Sequence, residues 1–185
     1  MALAKSQSVC LSFRAASTFR SILLAATLLI ATHAPVSATM VQRMALEQVT
    51  HEAARIVHGT VVDVRSGRDD SGLPATWITL AVARTLKGVA ASELTFKQYG
   101  VAEPLADGTI TRVAGLPRYH VGEEVVLFLR ADSRRGFTSP VGFSQGTYRV
   151  SRAGGLPEVR RDLGSGVPQQ LDAFFTEVAR LAATP

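Results

Sequence analysis

Arg55-Ile56-Val57-His58-Gly59-Thr60-Val61-Val62-Asp63-Val64-Arg65 decides the fold class. β-Branched residues dominate it, and two heavy atoms on Cβ favour the pleated, extended backbone over a helix. Gly59 sits inside the run, where a glycine marks a bulge or a sharp bend. A polar turn, Ser66–Pro74, follows. Ala75–Leu86 then alternates, with Ile78, Leu80, Val82 and Leu86 on one face and Trp77, Thr79, Ala81 and Ala83 on the other. Lys87-Gly88 ends that strand. Glu93–Tyr99 alternates again, with Leu94, Phe96 and Gln98 opposed to Glu93, Thr95, Lys97 and Tyr99.

Further along, Pro104, Gly108 and Gly115 interrupt an irregular stretch in which Ile110–Val113 reads as a short strand. Val125–Arg130 is an apolar run bounded by charge. Val125-Val126-Leu127-Phe128-Leu129 has no polar residue on either side of the pleat, so both of its faces are expected to be buried. Asp132–Gly136 is a hairpin signal before Phe137–Phe143. Gly146–Arg152 and Leu156–Arg161 complete the β pattern, and Gly164–Pro168 breaks it.

Helical periodicity appears only at the two ends. Within Thr39–His58, Leu46, Val49, Ala53, Ile56 and Val57 fall near helical spacing, overlapping a strand that can begin at Arg55. Gln169–Ala183 carries the stripe Leu171, Phe174, Phe175, Val178 and Leu181. Its polar face lacks the Lys/Arg excess of a membrane-surface helix, so the stripe is expected to pack on the β section, against Phe128 and its neighbours. Six to eight short strands with helices only at the ends imply a mainly β fold: a small antiparallel OB-like barrel flanked by an N-terminal and a C-terminal helix.

The first 38 residues have the three parts of an export signal. Lys5, Arg14 and Arg20 make a positive leader, Ile22–Ala31 an apolar core, and Val36-Ser37-Ala38 after Pro35 a small-residue cleavage site. The core is about half of the roughly 20 apolar residues a spanning helix needs, so no stable membrane span is expected after cleavage. The chain therefore reads as residues 1–38, a signal peptide, and 39–185, one domain, placed in the periplasm or secreted. Removing the leader takes Lys+Arg from 20 to 17 against 15 acidic residues, a net charge of +2. That is too little for a nucleic-acid partner. Cys10, the only cysteine, leaves with the leader. The remaining domain must then be held by its core, which is feasible at this length because about two-thirds of the unfolded surface is buried on folding.

Ala54–Val62, then Thr79–Gly88 with Leu86-Lys87-Gly88, then Val121-Gly122-Glu123-Glu124 leading into Val125–Leu129, resemble the netrin-like module. That module includes the tissue inhibitors of metalloproteases and has an OB-type barrel. An uncharacterised group of exported bacterial proteins shares the same skeleton and is similar to this chain over Ala54–Arg130. The resemblance implies the barrel and a binding role. The inhibitors chelate a protease zinc through an N-terminal cysteine and rely on framework disulfides. Neither exists from Thr39 onward, so zinc chelation does not carry over.

No catalytic or metal pattern stands out. His51, His58 and His120 have no ligand spacing among them. Ser144-Gln145-Gly146 and Ser165-Gly166 are not nucleophile elbows. Asp69-Asp70 and Glu123-Glu124 lie in turn-like segments, where solvated charge is expected. Adjacent residues of an extended chain also face opposite ways, so neither pair presents two carboxylates to one substrate. No phosphate loop is present and no cofactor is implied.

OB-type barrels bind polymers on one face, and Trp77, Lys97, Tyr99, Arg118 and Tyr119 are the candidates for such a face if their strands adjoin. The function expected is thus a non-catalytic exported binding protein, either a steric regulator of an extracellular protease or a binder of an envelope polymer. Its partner would be a protein or polysaccharide of the envelope or extracellular space. The alternatives are a hydrolase with an unrecognised site and a structural envelope component.

Overall fold

Long strands form where the β-branched runs demand them. The computed structural model describes residues 42–162 and 166–184, and the leader read at residues 1–38 lies outside them. Helix α1 (Leu46–Glu52) precedes β1 (Arg55–Arg68), β2 (Pro74–Lys87), β3 (Glu93–Tyr99) and β4 (Glu124–Leu129). A 3-10 turn (Phe143–Gly146), β5 (Thr147–Ser151), β6 (Glu158–Arg161), the two-residue β7 (Gln169–Gln170) and α2 (Leu171–Ala183) follow. All the strand pairings are antiparallel, in the order β3-β2-β1-β4-β5-β6-β7. The fold is mainly β with two flanking helices. Its ladder is open, with β3 and β7 as the end strands.

β1 is the spine. It pairs along its length with β2, and its first half also pairs with β4 from Arg55↔Leu129 to Thr60↔Glu124. This explains why the N-terminal helix stops at Glu52 although helical spacing continues to Val57: two ladders of backbone hydrogen bonds outcompete a short local helix. The register against β2 shifts at Ile56/Val57, His58/Gly59 and Val61/Asp63. Each shift adds bend and twist, curling the sheet. At Gly59 the backbone of β2 comes so close that a Cβ would stand 2.4 Å from the Ala81 carbonyl oxygen.

Two segments expected as strands are not strands. Ile110–Val113 makes a single bridge, Thr111 to Val101, and Phe137–Phe143 makes single bridges at Phe137 and Pro140. Pro140 has no N–H for a ladder, and Gly142 and Phe143 are both left-handed, with φ of 59°. The Phe137–Val141 segment nevertheless ties two strands together. Thr138 N donates to Lys97 O on β3 (2.8 Å), while Val141 N donates to Phe128 O on β4 (2.8 Å).

β4 divides the interior in two. Val126 and Phe128 face a core shared with Ile56, Tyr148, Val159, Val49 of α1, and Leu171, Phe174, Phe175 and Val178 of α2. Val125, Leu127 and Leu129 face a second core with Val57, Val61, Ile78, Leu80, Phe96 and Tyr119. Val125–Leu129, five of the six β4 residues, are fully buried, as their unbroken apolar run predicts. Each such side chain contributes about 1.5–3 kcal/mol by leaving water. The C-terminal stripe seals the first core. α2 has no side-chain cap at Gln170; instead Leu171 N donates to Pro157 O (2.9 Å), which ties the start of the helix to the approach to β6.

Candidate functional site

Beyond the second core, the curled sheet opens into a cleft of about 550 Å³. Its floor is sheet: Val64 and Ser66 of β1, Thr76 and Ile78 of β2, and Gln98 of β3. Its wall is the irregular segment Gly100–His120. Alternation aims these floor residues to the same side as Phe96 and Leu80.

The wall is fastened at several points. Val101 N donates to Thr111 O (2.8 Å) and Gly100 N to Pro74 O (2.9 Å). Gly100 has φ of +98°, and a Cβ there would stand 2.6 Å from Thr111 O, so only glycine allows the wall to fold back on itself. Thr76 Oγ1 donates to Gly100 O (2.7 Å). At the far end Ser144 N and Oγ both donate to Gly115 O (2.9 and 2.8 Å). Tyr119 plugs into the core, edge-on to Phe96 with ring centroids 5.8 Å apart, its hydroxyl 3.2 Å from Thr147 Oγ1. Burial pushes the Tyr119 phenol well above its ordinary range, the contact with Thr147 offsetting only part of this.

Gln98 is the unusual member. It is only 8% exposed. Its Nε2 donates to Pro117 O at 3.1 Å. A carbonyl can only accept, which fixes the amide orientation and leaves Oε1 turned away from that bond. Oε1 is shielded from solvent and has no hydrogen-bond partner, the only such buried side-chain atom among the described residues.

The five residues proposed for a binding face divide between two sides of the sheet. Trp77 and Lys97 are cross-strand partners on the outer side. The Arg65 guanidinium lies 5.8 Å from the Trp77 ring centroid, and Lys97 Nζ lies 4.2 Å from that of Phe137. Tyr99 lies two residues beyond Lys97, edge-on to Phe137, and borders the cleft. Arg118 and Tyr119 line the cleft instead. The five therefore form no single face, and Tyr119 is a core residue whose ring is closed in by Phe96. Arg118 is exposed, and its guanidinium has no acidic partner among the described residues.

The acidic pairs are not simply solvated. The Asp69 side chain is 5% exposed and meets Lys97 Nζ at 2.9 Å. It also accepts from Ser71 N, Ser71 Oγ and Leu73 N, closing the β1–β2 turn. The Lys97 ammonium, then the Ser71 hydroxyl, hold the Asp69 carboxyl well below the usual carboxylate range. Glu123 and Glu124 take separate partners, as neighbours on an extended chain must. Glu124 pairs with Arg152 and with the buried His58, whose Nε2 is 2.8 Å away. The hydrogen bond from Arg152 is the chief reason its carboxyl lies below the ordinary value. Glu123 is held between His120 and Arg149. Partial burial acts to raise its carboxyl, and the hydrogen bonds from His120 and Arg149 outweigh this.

No three His, Cys, Asp or Glu side chains gather into a metal site among the described residues. The hydroxyls on the cleft floor, Ser66 and Thr76, bond each other, and Thr76 also bonds Gly100 O. What the cleft offers is a mixed floor, Val64 and Ile78 beside the Ser66 and Thr76 hydroxyls and the Gln98 amide, and a free guanidinium at its edge. The chain matches no protein-family model, and no curated protein is significantly similar to it.

Sequence reasoning passed over Gln98 as a site residue although the signal was present: it shares the inward phase of Leu94 and Phe96, where a polar side chain is out of place.

Proposed function

We propose that this chain is a non-catalytic exported binding module that holds its partner in the cleft between the curled sheet and the Gly100–His120 wall. The single observation that carries the reading is Gln98: a nearly buried amide on the cleft floor whose oxygen has no hydrogen-bond partner. An orphaned acceptor costs about 1–3 kcal/mol, a cost that a ligand donor would recover on binding.

The partner is a protein or polysaccharide of the envelope or the extracellular space. Steric regulation of a secreted protease is the more specific form, consistent with the resemblance to the netrin-like module. An OB-like barrel fits the same picture: β3, β2, β1 and β4 curl, and the Phe137–Val141 segment spans the gap between β3 and β4. Export follows from the leader at residues 1–38, which predicts Thr39 as the mature N-terminus in intact-mass analysis.

Site-specific photo-crosslinking tests the binding site. p-Benzoylphenylalanine at Val113, on the wall, should yield a discrete adduct when the protein is incubated with envelope extract and culture fluid of the producing cells. The same probe at Val89, fully outward in the β2–β3 turn, should not. Equal labelling at both positions, or none at Val113, would remove the cleft as the site.

A further inference from the structure

Phe143 lies just outside the same cleft, against Gly115 of its wall, and is held in a conformation that phenylalanine avoids. Its φ is +59°, the only left-handed non-glycine residue among those described, and its side chain is 44% exposed. The backbone is fixed on both sides, by Phe143 N donating to Pro140 O (3.1 Å) and Ser144 donating to Gly115 O of the wall. A Cβ built at Gly115 would be 3.7 Å from Phe143 Cβ, so the ring starts where the wall ends. Backbone strain of this kind clusters at active sites, ligand clamps and switch regions, and the exposed part of the ring is free to meet a partner.

Resting on the reading of the cleft as a binding site, we propose that its ligand is a polypeptide segment anchored by one tryptophan. The indole lies on Val64 and Ile78 and donates its N–H to Gln98 Oε1, while Phe143 meets the segment beside the anchor. The hydrogen-bond chemistry selects the anchor. Gln98 Nε2 is committed to Pro117 O, so Oε1 can only accept and the ligand must donate. A neutral donor fits best, because the carboxylate that lines the cleft, Glu103, belongs to the wall and not to the floor around Gln98. The body carrying it must be apolar to match Val64 and Ile78. Tryptophan combines an apolar body with a donor that cannot accept. Because Oε1 is shielded and Ile78 is buried, the indole reaches them only as the wall moves outward against the Ser144 bonds to Gly115 O, with Gln98 keeping its bond to Pro117 O.

A polypeptide is favoured over a sugar polymer by the aromatic rings. Sugars stack on open ring faces inside a cleft, whereas Tyr119, the aromatic ring deepest in this one, is enclosed against Phe96, and Tyr99 only borders it, edge-on to Phe137. Phe143, outside the cavity itself, also extends the contact beyond one compact ligand. Arg118, without an acidic partner, suits an acidic residue flanking the anchor.

NMR titration of the purified protein tests this with four probes: N-acetyl-tryptophanamide, its 1-methylindole counterpart, the blocked pentapeptide Gly-Gly-Trp-Gly-Gly, and chitotetraose. N-acetyl-tryptophanamide should shift the Gln98 side-chain amide and the Ile78 methyls. Loss of the indole N–H should weaken binding about three- to tenfold, the value of one hydrogen bond. Gln98→Met should abolish that difference. Phe143→Gly should weaken the pentapeptide at least threefold yet leave N-acetyl-tryptophanamide unaffected. Equal affinity for the methylated and unmethylated indoles, absence of a shift at Gln98, or binding of chitotetraose alone would overturn the proposal. Should the Val113 crosslink succeed while these titrations fail, the cleft stands as a binding site and the tryptophan anchor falls.

Discussion

Phe128 of β4 and Phe174 of α2 meet edge to face, with ring centroids 6.3 Å apart, and Tyr148 of β5 contacts both rings at 5.3 and 4.8 Å. This aromatic triplet joins the C-terminal helix to the centre of the sheet. Such pairs add about 0.5–1.5 kcal/mol beyond the area they bury. The helix is therefore part of the domain's core rather than an appendage to it.

Phe128→Ala should cost about 3–5 kcal/mol in chemical denaturation, since it empties a fully buried site touched from three elements. Deleting the chain after Gly166 should be at least as damaging, because it strips the cover from Ile56, Val126 and Phe128. A truncated protein that unfolds at the same denaturant concentration as the full chain would show that α2 contributes nothing to the core.

Gly59→Ala tests the bend in β1. The added methyl would stand 2.4 Å from Ala81 O, a backbone atom that cannot turn aside. The expected outcome is a loss of several kcal/mol, or failure to fold, read from a circular-dichroism melt, since overpacking alone typically costs about 1–3 kcal/mol. A melt unchanged within error would mean that β1 and β2 do not approach so closely in solution.

Acid should weaken the protein through Asp69. Its carboxyl lies below its unfolded value of about 4, so its ion pair with Lys97 adds stability that is complete above that pH. The stability is lost as pH falls toward the folded value. Thermal melts from pH 7 to pH 2 should therefore slope downward below about pH 5. Asp69→Asn should lower the melting temperature at pH 7 and flatten the acid limb. Parallel curves for the two proteins would show that the pair carries no pH-dependent stability.

Phe143→Gly should stabilise the fold by about 1 kcal/mol. Removing a side chain from the left-handed region relieves about 1–3 kcal/mol, and the extra freedom of glycine in the unfolded chain takes back part of it. Urea unfolding measures the difference. A loss of more than 1 kcal/mol would identify Phe143 as a packing residue and remove the strain argument for its role at the cleft.

Much of this architecture was written in local sequence. The β-branched run after Arg55, the alternation in Ala75–Leu86 and Glu93–Tyr99, the two-faced apolar run at Val125–Leu129 and the stripe of the last helix all appear as elements within a few residues of where they were expected. Periodicity is a one-element property, so it survives without knowledge of neighbours. The site was harder to see. Trp77, Lys97, Tyr99, Arg118 and Tyr119 were grouped by residue type, yet strand pairing sends Trp77 and Lys97 outward, while Tyr119, outside the strands, packs into the second core. Gln98 stood in plain view in an inward phase, but no sequence pattern says that its oxygen goes unpaired.

The sequence by itself determined the long strands, the two helices and the shared face of Ile78, Leu80 and Val82, because these follow from steric preference and the period of burial, whereas Leu86, beyond the register shifts, packs on the other core. Tertiary structure alone decided the strand order, the truncation of the first helix at Glu52, the failure of Phe137–Phe143 to join the sheet as a strand, and the meeting of Gln98 with Pro117 nineteen residues away. Each of these depends on which distant backbone groups satisfy one another's hydrogen bonds, a competition among partners that no local window of residues contains.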